Sequence, residues 1–319
     1  MKKLDKIDKK ILYYMDLNAR APLSEVARYA RISKPVAAYR LKKMENEGII
    51  THYVTVVNTS ALGKPLYLNL FFVLQNVTDK RLNEFVDYLN AHNSVGYVAL
   101  MDGEYELDVF LGARDIYEFR GFLDEIRGTF GDLISEIVYV TPIRAVFLRK
   151  SYLIGKKVRD EEPLEALGKG STLKLDDIDQ GILSVLAKNA RTKTTVIATR
   201  LKESPLLIAR RIKSLEKRGV IMGYRTALTT LGTGFNLLFA LKNVTPKRYK
   251  ELISYLGSNP YCIFLAETLG SYDVSASLEV ENSEQYYELR MDIRNRFSDI
   301  IKRMVPFAFG KITKYVYLP

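Results

Sequence analysis

The sequence predicts an α+β chain in which one two-part unit, a helix-turn-helix followed by a ferredoxin-like βαββαβ segment, is written twice. Three observations predict it. The capped amphipathic stretch Ser33–Ile50, SKPVAAYRLKKMENEGII, returns 171 positions later at Ser204–Ile221 as SPLLIARRIKSLEKRGVI. After each copy the pattern changes to strand, helix, strand, strand, helix, strand. Positive charge is also localised. Residues 1–50 carry 12 Lys/Arg against 6 Asp/Glu and residues 175–225 carry 11 against 5, while residues 65–150 carry 8 against 13. An evenly basic chain would imply only a solvated surface. Charge gathered on two capped helical segments is the footprint of a polyanion-binding protein.

The elements follow in order. Residues 4–18, LDKIDKKILYYMDLN, form a first helix with Leu4, Ile7, Ile11, Leu12 and Met15 on one face. Asn18-Ala19-Arg20 turns the chain and Pro22 opens a second helix. A turn at Arg31–Ser33 leads into the third, capped by the Ser33 hydroxyl and ended by Gly48. Its buried stripe is Ala37, Leu41 and Met44. The other face carries Lys34, Val36, Tyr39, Arg40, Lys42 and Lys43. The second copy repeats the plan with LDDIDQGIL at 175–183, Asn189-Ala190-Arg191, a helix near 193–201, and Ser204 before Pro205 at the first helical position. Here the stripe is Ile208, Ile212 and Leu215, the outer face holds Leu207, Arg210, Arg211 and Lys213, and Gly219 ends the helix.

Two helices joined by so tight a turn present the second to a DNA groove. The basic residues of both faces are expected mainly at phosphates, which supply affinity and orientation. Tyr39 and Arg210 point straight outward, with Val36 and Leu207 beside them. An Arg there can grip guanine with two hydrogen bonds, and Val or Leu can meet thymine methyls. For Leu206 and Leu207, packing against a neighbouring segment is the competing reading.

HYVTVVN (52–58) and GYRTALT (223–229) are short extended pieces. The first βαββαβ is then read as strand 66–74, helix 79–91, strand 95–101, a turn at Asp102-Gly103, strand 105–111, helix 115–128 and strand 133–140. The copy aligns NLLFALKNVT (236–245) with NLFFVLQNVT (69–78), and IRNRFSDII (293–301) with IRGTFGDLI (126–134), at an offset of 167. The expected domains are 1–58 and 175–229 (helix-turn-helix) and 59–153 and 230–319 (βαββαβ). Residues 154–174, polar and containing Pro163, Gly168 and Gly170, form a linker. Each βαββαβ leaves one sheet face bare, so the two units are expected to bury those faces against each other as an internal pseudo-dimer.

No apolar run approaches the roughly 20 residues of a membrane span, and the charged start MKKLDKIDKKIL has no signal-peptide block. The expectation is a cytoplasmic protein without a membrane partner. A single cysteine, Cys262, excludes a disulfide framework and is read as core. His52 and His92 have no partners at metal spacing and are read as surface residues. No cofactor is expected.

LDxIDxxIL, the NAR turn, a reader helix ending in EGII or RGVI, and a βαββαβ with a G-x-Y-[DE] turn together resemble the Lrp/AsnC (feast/famine) transcription regulators. The resemblance covers nearly the whole chain, twice. It implies a winged-type helix-turn-helix that binds double-stranded DNA. It also implies an ACT-like regulatory domain that dimerises through its sheet and takes an amino-acid-like effector; beyond the internal pseudo-dimer, assembly into a homo-oligomer stays open. On the matching positions that effector would meet Gly103, Tyr105, Glu106 and Asp108, and Gly270, Tyr272 and Asp273. The residues alone support a plainer reading there, since Asp-Gly between apolar strands is a hairpin turn.

The chain departs from the family pattern in carrying two units, in having Glu106 where the other copy has Asp273, and in the apolar Leu206-Leu207 pair. Two other functions stay open. A fused tetrapyrrole (sirohaem-type) decarboxylase shares this plan, but its chemistry wants His or Arg groups converging on propionates. No such constellation is legible, so the expectation is that the chain is not an enzyme. A non-specific architectural DNA binder is the other alternative.

Overall fold

The computed structural model describes residues 4–155, 162–229, 231 and 233–316. The first copy runs α1 (Lys6–Asp16), α2 (Leu23–Ala30), α3 (Lys34–Asn46), β1 (Ile50–Val57), β2 (Leu66–Leu74), α4 (Asp79–Ala91), β3 (Val95–Gly103), β4 (Leu107–Ala113), α5 (Ile116–Phe130) and β5 (Ile134–Phe147). A short strand, β6 (Leu164–Glu165), lies between the copies. The second copy runs α6 (Asp177–Lys188), α7 (Thr194–Leu201), α8 (Pro205–Lys217), β7 (Ile221–Leu228), β8 (Thr233–Leu241), α9 (Pro246–Ser258), β9 (Cys262–Gly270), β10 (Val274–Val280), α10 (Ser283–Arg296) and β11 (Ile301–Tyr315).

Local chemistry sets the helix ends in both copies. Asp5 and Asp176 cap α1 and α6, and Ser33 and Ser204 cap α3 and α8. Gly48 and Gly219 share a φ of +69° just past the reader helices. The first helix is shorter than the expected 4–18, because the Asp5 side chain takes the Ile7 and Asp8 N–H groups and fixes the start there.

The extended pieces after the reader helices pair with each other. β1 and β7 form a two-stranded antiparallel ribbon that joins the two helix-turn-helix units. The units also exchange core residues. Ala190, Tyr224 and Leu228 pack into the first unit's core, and Val57, Ala61 and Leu62 into the second's. Neither helix-turn-helix core is complete within its own copy.

The remaining strands run in the order β2-β4-β3-β11-β8-β10-β9-β5-β6, and β2 also pairs with β5. Eight strands therefore return on themselves, as two four-stranded sheets face to face with corners at β5 and β11. The sequence pattern predicts that the first corner strand ends at residue 140, before Thr141-Pro142. In the structure β5 continues to Phe147: Asn69 to Leu74 on β2 pair with its first half and β9 pairs with its second half. Pro142 is accommodated at a register irregularity. β11 does the same from β8 to β3. Likewise the strand read from residue 105 begins at Leu107, because the turn is longer than the Asp102-Gly103 pair.

The helices cover the outer faces of the two sheets over separate cores. Between the sheets a third cluster joins Phe71, Ala99, Met101, Tyr105 and Val140 to Leu238, Tyr272, Val305 and Phe307. The bare faces thus bury each other inside one chain.

The segment expected to be a free polar linker packs along part of its length. β6 pairs with the end of β5, and Ala166 and Leu167 are buried with Val56, Tyr67, Phe147 and Ala266. Tyr67 accepts the Gly168 N–H at 3.2 Å, and a Cβ on Gly168 would sit 1.9 Å from the Asn58 side chain, so only glycine fits. Residues 156–161 of that linker lie outside the described residues.

Candidate nucleic-acid interface and barrel lumen

The reader helices are positioned by pairs of devices that match across the copies. Arg20 donates to the carbonyls of Ala190 and Thr192, and Arg191 donates to those of Ala19, at 2.5 Å, and Ala21, at 3.3 Å. Each guanidinium also lies 5.3 Å from the ring of a ribbon tyrosine, Arg20 over Tyr224 and Arg191 over Tyr53. Those tyrosines donate to Glu45 and Glu216 on the reader helices, at 2.5 and 2.6 Å. The NAR turn therefore serves as a reciprocal clamp that ties each unit to the other's ribbon strand and, through it, to a reader helix. The sequence by itself predicts only a turn at these positions. The signal available was that Arg20, Glu45 and Tyr53 all recur at one offset.

On the outer faces Lys34, Val36, Tyr39, Lys42 and Lys43 are exposed, with Tyr39 70% accessible, as are Arg210 and Lys213. Leu206 is 62% exposed, so the packing alternative fails for it, whereas Leu207 is half-buried. Arg40 and Arg211, expected at phosphates, are ion-paired within their own units. Arg40 meets Asp5 at 2.6 Å and Asp8 at 2.8 Å, and Arg211 meets Asp176 at 2.8 Å and Asp179 at 3.5 Å. Each pins the reader helix to the start of the unit's first helix. The hydrogen bonds to both aspartates hold the Arg40 guanidinium firmly protonated.

The residues expected around an effector divide into two groups. Tyr105 and Tyr272 meet between the sheets with their hydroxyls 2.6 Å apart. Burial and this shared hydrogen bond push the Tyr105 phenol far above its ordinary range. Glu106 accepts the Leu74 N–H at 2.9 Å, and Asp273 accepts that of Leu241 at 2.7 Å. These carboxylates fasten the turns to β2 and β8. Gly103 and Gly270 have φ of +144° and +124°, and a Cβ on either would come 2.9 Å from β11 or β5. The G-x-Y-[DE] pattern is explained by closure of the barrel at its corners, and the Asp/Glu exchange preserves the same backbone contact.

Asp108 lies apart from that group, facing a cavity of about 600 Å³ between the sheets, walled on one side by the β1–β7 ribbon. Phe71 and Val140 belong to both the packed cluster and the cavity wall, so the cavity begins where the cluster ends. Further walls are Asn69, Tyr97, Phe110, Asn236, Ser277 and Tyr315. Lys150 and Glu279 form a buried pair at 2.5 Å on this wall, and Tyr152 also donates to Glu279. Arg225, from the ribbon, donates to the Tyr315 hydroxyl at 2.8 Å and lies 3.8 Å from Asp16. Asn69 donates to Asp108, yet burial outweighs that bond and pushes the carboxyl up to about 7.

His52, read as a surface residue, also lines this cavity. It is half-buried beside Tyr315, and burial lowers its pKa. His92 is half-buried too, packed on Phe122 with its pKa lowered by burial. Isolated histidines carry no periodicity that would have placed them. Cys262 is buried, as expected. Among the described residues no helix is long and apolar enough to cross a membrane.

The model of the winged helix-turn-helix DNA-binding family matches twice, over residues 4–51 and 175–222. The HTH-type transcriptional regulator FL11 of Pyrococcus abyssi is 28% identical over 123 residues, 39% of this chain and 80% of its own length. The chain therefore carries two winged helix-turn-helix DNA-binding units and is similar, one copy at a time, to HTH-type transcriptional regulators. Other relatives are the proline dehydrogenase transcriptional activator of Rhodobacter capsulatus, 28% identical over 38% of this chain and 79% of its own, and the HTH-type transcriptional regulator AldR of Mycolicibacterium smegmatis, 26% identical over 42% and 82%. Each matches about the length of one copy. A similar fold over nearly the whole chain is seen in the crystal structure of the siroheme decarboxylase NirDL. The TM-score is 0.60 at 17% identity, covering 98% of this chain and 93% of that one, which shows a shared fold.

Proposed function

We propose that this chain is a sequence-specific DNA-binding transcription regulator, and not an enzyme, whose two reader helices address unlike half-sites. One observation carries the reading: two matched reader helices, held together by a single ribbon and reciprocal arginines, present basic faces whose exposed side chains differ. A symmetric dimer offers the same side chains twice and reads a palindrome. Here Tyr39 stands where the other copy has Arg210, and Lys43 where it has Ser214. The test is competition at fixed salt between a selected duplex and bulk DNA. Preference for the selected site by about 10³-fold or more supports a specific regulator, and equal binding would make the chain an architectural binder.

The fold shared with a siroheme decarboxylase, together with the large lumen, favours one second reading, catalysis on a tetrapyrrole. The charges of the lumen speak against it. A polycarboxylate needs free cations inside the lumen, but Lys150 is engaged by Glu279, Arg225 lies between Asp16 and Tyr315, Lys314 donates to the His92 carbonyl, and Lys311 is exposed, while Asp108 adds a carboxyl. Decarboxylation of added sirohaem, followed by mass spectrometry, decides the matter. Conversion would establish the enzyme, and unchanged substrate supports the regulator.

A further inference from the structure

The lumen holds a buried carboxyl that the chain itself does not neutralise. Asp108 is 7% exposed, faces the cavity, and has the Asn69 amide as its hydrogen-bond donor. Among the described residues no Lys or Arg forms an ion pair with it, and no cation lowers its pKa. Buried carboxylates are ordinarily paired, since an isolated one loses its hydration without compensation. The matching position of the second copy is Ser275, so the duplicated fold closes without an acid there. What surrounds Asp108 is aromatic. Tyr97 and Phe110 lie opposite each other on β3 and β4, and the Tyr315 ring stands 5.6 Å from that of Tyr97.

We propose that the lumen is a binding site for an organic ammonium ion, with Asp108 as its counter-ion and the rings of Tyr97, Phe110 and Tyr315 around its apolar body. A carboxylate lined by aromatic faces suits such a cation twice over, by direct pairing and by attraction to the ring faces. The rise of the Asp108 carboxyl to about 7 fits a group that lacks its cation. The cavity, at about 600 Å³, lies within the range of small-molecule sites. The ligand class is an amine in preference to an amino acid, because the cations on the wall are turned to other partners or to solvent: Lys150 pairs with Glu279, Arg225 lies between Asp16 and Tyr315, Lys314 donates to the His92 carbonyl at 2.9 Å, and Lys311 is exposed. The site is separate from the G-x-Y-[DE] turns, whose acids are bound to backbone.

The test compares three probes with one indole body and different heads, tryptamine, tryptophan and indole-3-propionate, by titration calorimetry on the full chain at pH 8. Tryptamine should bind at least tenfold more tightly than tryptophan, and indole-3-propionate should bind weakest. Asp108→Asn, which keeps the size and an acceptor for Asn69, should weaken tryptamine at least tenfold and leave indole-3-propionate unchanged. The wild-type ranking stands as a test even if that variant does not fold. Absence of tryptamine binding at millimolar concentration, binding of the acid as tight as that of the amine, or full affinity in Asp108→Asn would overturn the proposal. None of these outcomes depends on whether the chain binds DNA.

Discussion

The two copies agree in the contacts that hold each fold together and join it to the other, and differ where side chains are left to meet DNA or the lumen. Ser33 and Ser204, Arg20 and Arg191, Tyr53 and Tyr224, Glu45 and Glu216, and Tyr105 and Tyr272 are matched residues making matched contacts. So are Arg81 and Arg248, each 2.7 Å from the equivalent Asp132 or Asp299. By contrast Tyr39 opposes Arg210, His52 opposes Gly223, and Asp108 opposes Ser275. A pseudo-twofold interface needs the same device on both sides, because each half completes the other. Surfaces that meet a ligand or DNA carry no such requirement, and one chain encoding both copies lets them diverge.

The largest effect should come from separating the copies. Residues 1–153 alone leave an incomplete helix-turn-helix core and three strands with bare edges, β1, β3 and the second half of β5. The fragment should self-associate or pair with residues 175–319, as read by light scattering. A soluble monomer with no affinity for the other half would show that the exchanged cores matter little.

Next come the clamps. Arg20→Ala and Arg191→Ala each remove hydrogen bonds to two carbonyls of the other copy and a ring contact. Each should cost about 1–3 kcal/mol in denaturant unfolding, and the two costs should be similar because the contacts match. A large inequality would break the comparison on its symmetric side.

The smallest effect concerns phosphate contacts. Lys42→Ala and Lys213→Ala should weaken binding uniformly across DNA sequences, and each should reduce the slope of log affinity against log salt by about one unit. An affinity indifferent to salt would contradict the assignment of the basic faces.

Much of this architecture was legible because it rests on local signals: caps, apolar stripes, terminal glycines and a repeat that displays each signal twice. The Ser33 and Ser204 caps and the β2 strand needed no tertiary information. What escaped reading was long-range. Nothing around Thr141-Pro142 announces that β5 continues into the other unit's sheet, since a strand's partner is set by closure of the barrel. Arg40 and Arg211 look like any basic residues on an outward face, and only the approach of α1 and α6 turns them into internal ion pairs. The resemblance groups Asp108 with Gly103, Tyr105 and Glu106 around an effector, whereas strand alternation carries it into the lumen, two residues beyond the contact that Glu106 makes with Leu74.

The most direct test of unlike readers joined as one unit is selection of bound sequences from a random duplex pool by the intact chain. The account predicts two dissimilar half-sites with centres about 34 Å apart, or a multiple of that, one of them specifying a guanine through Arg210. Arg210→Ala should then relax that half-site by about 1–3 kcal/mol of discrimination and leave the other unchanged, because Tyr39 offers no two-bond grip on guanine. A perfect palindrome within the footprint of a single chain, or equal relaxation of both halves in Arg210→Ala, would contradict it.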